Sequence, residues 1–239
     1  MTATIEIDSS ALCQESLTSI SVAGGTWHLS RVSLPASNDR PLQLTVISLA
    51  EIPPLQAQAG EGVEALIARI SRSYRYPEAL VLCNNPDTAL GPEHMAHAQG
   101  CGVLAIDTAQ RELCWDAALG KGLPCYGIRD MLRLDCTRPN PQAALSALAF
   151  GLYFCHDGWP GVRITEDRQG ISWASEDGCN LQARVLIRDG FEVACIEGPQ
   201  GSWKDRGDEG TVRLHLSNGV HNIWTQPRFI MPRNPGPQA

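Results

Sequence analysis

Lysine is almost missing from this chain: of its nineteen basic residues only Lys121 and Lys204 are lysines, and none lies in the first 120 positions. There is no Gly-Lys-Ser/Thr element, which excludes a phosphate-cradling loop of the Walker kind. Positive charge is short overall. A formal charge of -7 and a pI near 5.3 argue against a nucleic-acid or anionic-membrane surface, since phosphate binding needs a basic footprint. The nine cysteines contain no Cys-x-x-Cys and are odd in number, so they read as free, mostly buried thiols in a reducing compartment. No apolar run approaches the ~18 residues of a membrane span, and Met1-Thr2-Ala3-Thr4-Ile5-Glu6 lacks the basic and apolar regions of a signal peptide. A cytoplasmic protein is expected.

What is present is ordinary globular material, 43% hydrophobic and 19% charged over 239 residues, enough for one large domain or two modest ones. Residues 4–52 read as β-rich, with Val46, Ile47 and Leu49 following the polar turn Ser37-Asn38-Asp39-Arg40-Pro41. Val63, Leu66, Ile67 and Ile70 fall at i, i+3, i+4 and i+7 and predict a helix over 61–72. Ala79–Cys83 and Gly102–Ile106 have the length of buried strands, with a helix starting near Pro92 between them, the pattern of a βαβ unit. A third unit follows, with a helix around Trp115–Leu119 and a strand at Cys125–Ile128. Asn140-Pro141 then opens a helix that Gly151 ends.

Beyond about residue 160 the apolar period becomes two. Leu181, Ala183, Val185 and Ile187 alternate up to Asp189-Gly190, and Phe191, Val193 and Cys195 alternate back, which predicts a hairpin. Val212, Leu214 and Leu216 before Asn218-Gly219 predict another. The expected organisation is a βα-containing core over 1–157, an antiparallel part over 158–231 and a loose Pro/Gly-rich tail over 232–239.

Trp115-Asp116-Ala117-Ala118-Leu119-Gly120-Lys121-Gly122, followed by Tyr126-Gly127-Ile128, resembles a segment of the PHP (polymerase and histidinol phosphatase) superfamily. The run Ala144–Tyr153 is similar to that family's Ala-Leu-rich helix, and Ile223-Trp224-Thr225-Gln226-Pro227 to a closing strand of some members. Upstream, Pro92–Met95 and Gly102–Thr108 look like the helix and strand leading to its Thr-Asp-His motif. The resemblance implies an α/β plus β fold, a partial βα barrel followed by an antiparallel hairpin layer or sandwich. It also implies a site for divalent metal (Zn, Mn or Fe). The metal-binding pattern itself is broken: His28 has no histidine two positions on, Asp107 is followed by Thr108-Ala109, and Asp130 is flanked by Arg129 and Met131. Arginine offers a metal no lone pair. The resemblance therefore implies a shortened pseudoenzyme acting through a protein partner or through self-association. The alternative is a phosphoesterase with a site rebuilt from His28, Asp107, Asp130 and His156.

Two further groupings merit testing. His94, His97 and Cys101 would share one face and offer zinc three ligands if their helix persisted to Cys101, but Gly100 breaks it; otherwise they are a half-exposed histidine pair and a core cysteine. Cys155-His156-Asp157 is either a Cys-His pair or a loop at the junction of the two parts. A restriction-endonuclease-like core needs acids and a lysine on its early strands, and Thr45-Val46-Ile47-Ser48 supplies neither.

Overall fold

The apolar repeat at residues 63–70 forms the helix it predicts, and Leu66, Ile67 and Ile70 are its buried side chains. The computed structural model describes residues 3–14, 16–34, 42–159 and 161–230, so the turn expected at Ser37–Pro41 and the tail expected over 232–239 lie outside the described residues. In chain order come β1 (Ala3–Asp8), α1 (Ser9–Cys13), β2 (Ser19–Val22), β3 (Gly25–Leu34), β4 (Leu42–Ser48), α2 (Val63–Ser73), β5 (Ala79–Cys83) and α3 (Pro86–Ala89). A 3-10 segment (Pro92–Ala98) precedes β6 (Val103–Ala105), α4 (Ala109–Gly120), β7 (Tyr126–Ile128), β8 (Met131–Cys136), α5 (Pro141–Phe150) and β9 (Phe154–His156). The remainder is β10 (Val162–Glu166), β11 (Gly170–Ser175), β12 (Leu181–Ile187), β13 (Glu192–Gly198), β14 (Gln200–Lys204), β15 (Thr211–Ser217), β16 (Asn222–Thr225) and β17 (Arg228–Phe229).

Three sheets result. The first runs β2-β3-β4-β5-β6-β7, the second β1-β8-β9-β16-β15-β12-β13 with β17 against β15, and the third β10-β11-β14. One apolar cluster fills the space between the first sheet and α2, the 3-10 segment and α4. Another joins the opposite face of that sheet, through Trp27, Leu29, Leu80 and Leu82, to α5 and to Ile5, Ile7, Leu132 and Leu134 of the second sheet. The last lies between the second and third sheets, around Trp173, Trp203, Val185 and Leu214. The tryptophans at 173, 203 and 224 are all buried.

A partial βα barrel with a hairpin layer is not what forms. The described residues are mostly β, 41% strand against 24% helix, with several sheets of which one curls into a half-barrel. Among the described residues parallel pairing is confined to β5-β6-β7, while β2 through β5 are antiparallel. The reason lies in one connection. Only Arg129 and Asp130 separate β7 from β8, and a parallel crossover needs about a dozen residues or more. Asp130, at φ 45°, turns the chain out of the first sheet, and β8 pairs antiparallel with β1 in the second. The change of period near residue 160 does not interrupt the hydrogen-bonded structure, because β9 and β16 are neighbours, with His156 opposite Ile223 and Phe154 opposite Thr225. The helix expected near Pro92 is instead a short α3 followed by the 3-10 segment.

Other local expectations match what is seen. The side chain of Asn140 accepts a hydrogen bond from the Ala143 amide at 2.8 Å to start α5, and Gly151 ends it in the left-handed region. The Asp189-Gly190 turn has positive φ at both residues, 63° and 70°, as a hairpin of the predicted kind requires. Burial pushes the thiols of Cys83, Cys125 and Cys155 up to about 12, so these cysteines behave as core residues.

Gly151→Ala should destabilise the fold by about 1–3 kcal/mol, because a Cβ there is strained at positive φ and would run into the Tyr126 ring. Urea unfolding measures this, and unchanged stability would show that Tyr126 yields.

Candidate functional site

The first and second sheets meet beside β7. Gly127, in the middle of β7, is the centre of that junction. β7 is the terminal strand of the first sheet, so its outer N–H and C=O groups need partners from elsewhere. The Gln226 side chain supplies both: the Gly127 amide donates to Oε1 at 2.9 Å, and Nε2 donates to the Gly127 carbonyl at 2.9 Å. The Tyr153 hydroxyl donates to the same carbonyl at 3.0 Å. Trp115 anchors α4 beneath by donating from Nε1 to the Cys125 carbonyl at 3.2 Å, and a Cβ on Gly127 would meet its ring. The pieces at 115–122, 126–128, 144–153 and 223–230 thus converge on one backbone unit.

Around this junction the charges are organised by arginine. Arg111, near the start of α4, binds Asp107 at 2.7 Å and Asp87 at 2.9 Å. Arg129 binds Asp130 at 3.1 Å, approaches Glu112 at 3.7 Å and lies 3.6 Å over the Trp224 ring. Arg213, only 2% exposed, reaches from β15 to Glu112 at 3.0 Å and Asp116 at 2.7 Å. Burial raises the Asp116 carboxyl above the usual carboxylate range, with Arg213 opposing the shift. The half-buried His215 stacks on Trp224 and bonds Asn222 Oδ1 at 3.1 Å, and burial holds its imidazole below the usual range.

The four predicted residues do not share one centre. His28 lies in a separate groove of about 440 Å³ with Ser19, Ser30 and Glu51. Asp107 and Asp130 are each paired with an arginine. His156 belongs to a strand rather than a loop and is 3% exposed; its Nδ1 accepts the Gly158 amide at 3.2 Å, while Nε2 has no hydrogen-bond partner. Burial holds this imidazole below its usual range, and Asp130 is close enough to act against that shift. Asp130 and His156 are therefore the two that come within electrostatic reach of each other.

His94, His97 and Cys101 are not assembled either. A 3-10 turn eclipses positions three apart, so the two rings stack 6.2 Å apart at the surface, with His97 bonded to Glu64 at 3.1 Å. Gly100, at φ 99°, turns the chain away, and Cys101 packs in the core with its thiol raised by burial. Among the described residues no group of three or more His, Cys, Asp or Glu side chains is placed to hold a metal ion.

Sequence reading missed Arg213 and Glu112, and placed Gln226 in a closing strand without giving its side chain a role. Arg213 alternates with Val212 and Leu214 and so looks like a solvent-facing strand position, yet α4 covers that face. One signal was available: Glu112 and Asp116 stand four apart on α4, a repulsive pair without a local cation, which calls for a basic partner from elsewhere in the chain.

Arg213→Leu should cost about 3–5 kcal/mol at pH 7, since it leaves a buried carboxylate uncompensated. A carboxyl with a raised folded-state pKa favours the fold when protonated, so its contribution is present at low pH and lost as pH rises. The deficit of the variant should therefore shrink on acidification, and Arg213→Leu with Asp116→Asn should recover part of it. Urea unfolding between pH 4 and 8 measures both effects; a pH-independent deficit would contradict the assignment.

No family model, no curated protein and no solved structure matches the chain.

Proposed function

We propose that this chain is a non-catalytic protein, a degenerate and shortened relative of the PHP superfamily, that acts by contact with a protein partner or a second copy of itself. The observation that carries this reading is the pairing of carboxylates with guanidinium groups at the sheet junction. Asp107 is engaged by Arg111, Asp130 by Arg129, and Glu112 by Arg129 and Arg213. A divalent ion would have to displace a fixed positive charge to reach any of them, and two like charges a few ångströms apart repel strongly where water is partly excluded. Each of the five acidic side chains here is engaged by one or two of three arginines, which stand where a bound ion would have to sit.

Kinship with the superfamily is supported by the convergence at Gly127. The segments that resemble it contact one another through Gln226, Tyr153 and Trp115, as parts of one inherited substructure would. Action by contact is supported by the exposed apolar side chains Phe150, Leu152 and Phe191, which are 53%, 65% and 68% accessible. Among the described residues no helix is long and apolar enough to cross a membrane, so these side chains do not belong to a membrane-spanning helix.

Elemental analysis of purified protein, after incubation with Zn, Mn or Fe and desalting, is expected to find no stoichiometric ion. Hydrolysis of p-nitrophenyl phosphate should stay at background. A tightly held ion lost in the Asp130→Asn and His156→Gln variants, together with turnover, would establish the phosphoesterase instead.

A further inference from the structure

The third sheet ends on an unpaired strand. Among the described residues β10 pairs with β11 alone, in the register Val162 opposite Ser175 to Glu166 opposite Ile171. Along its other side runs a groove of about 460 Å³. One wall is made by Val162, Arg163 and Ile164, which are consecutive. Successive strand residues point to opposite faces, so a wall containing all three is the edge of the strand, where its free N–H and C=O groups emerge. The opposite wall is a second run of consecutive residues, Gly151 through Phe154, leading into β9. A groove between an open strand edge and another stretch of chain has the shape that admits an added strand.

We propose that an extended segment of a partner protein adds to β10 as a fourth strand of this sheet. The inference rests on the reading of the chain as one that works by contact, and narrows it to one edge and one kind of partner. The lining sets the chemistry of the incoming segment. Leu152, at the lip, is 65% exposed and stands near Ile164, giving an apolar side chain a place to bury. Arg163 makes no ion pair among the described residues and projects beside the groove together with Arg133. Of the two acids that also line it, Glu166 is bound to Arg228 at 3.0 Å, and Glu176 sits at the Val162 end, where its amide donates to the Gly161 carbonyl. Two arginines and two acids line the groove; with Glu166 held by Arg228, Arg163 is the exposed charge without an ion pair on the strand edge itself among the described residues. The complementary segment alternates apolar residues with a carboxylate at its centre, opposite Arg163.

Two acetylated, amidated peptides test this with the 239-residue chain: Ser-Thr-Val-Glu-Val-Thr-Ser and its counterpart with lysine for glutamate. Saturable binding of the acidic peptide, with slowed amide exchange at residues 162–166, is expected. The lysine peptide should bind weakly. Because Arg163 is an exposed residue, Arg163→Glu should fold normally and shift the preference toward the lysine peptide by about fivefold to tenfold, the effect of turning a cross-strand attraction into repulsion. Equal binding of both peptides, or binding that leaves 162–166 unprotected, overturns the proposal. So does protection of 162–166 in a dimer without any peptide, seen by light scattering, although that result would keep the reading of action by contact. Metal-dependent turnover would remove that reading whatever the peptides do.

Discussion

The primary amide of Gln226 does for β7 what a neighbouring strand would otherwise do. A sheet edge buried without partners leaves backbone N–H and C=O groups stripped of water, at a cost of about 1–3 kcal/mol each. One side chain that both donates and accepts satisfies the pair on Gly127 and ties the first sheet to the second at the same point. The position must be glycine, because Ile106 and the Trp115 ring occupy the space a Cβ would take. Once β7 is closed in this way, α4, α5, β9 and the strand after β16 have fixed relative positions, and the acids and arginines at the strand ends are held in place.

The charges depend on that closure. Glu112 and Asp116 lie on the face of α4 that meets β15, and Arg213 is pinned between them at 2% exposure. Buried charge is tolerated where geometry and hydrogen bonding are good and is destabilising where a partner is missing. Arg129 extends the same layer by stacking on Trp224 while it binds Asp130. Such a layer fixes how two sheets meet, since sliding them would strand charges in a place that water does not reach. The same layer engages Asp107, Asp130, Glu112 and Asp116, so the residues that weld the sheets together also occupy the acids at this junction.

Much of the local structure was legible. The period of α2, the caps of α5 and the Asp189-Gly190 turn depend on residues close in sequence, and each formed where it was read. The strands β5, β6 and β7 were also placed within a residue or two. The expected continuation into a barrel does not form, because two residues between β7 and β8 cannot make a crossover. The candidate site was less legible still. His94, His97 and Cys101 would share a face only with α-helical geometry, and the 3-10 turn and Gly100 separate them.

Taken alone, the amino-acid sequence determined the periodicities, the turns, the shortage of lysine and the lack of a second histidine near His28. Those properties are set by neighbours along the chain, within reach of one helical turn or one hairpin. Which strands pair across the junction, which carboxylate meets which arginine, and which strand edge is left open were decided only in three dimensions. Arg213 and Asp116 are 97 residues apart, as are other partners at comparable range, and nothing local selects one cation over another. Burial does, by making every wrong pairing leave a charge without water or a counter-ion.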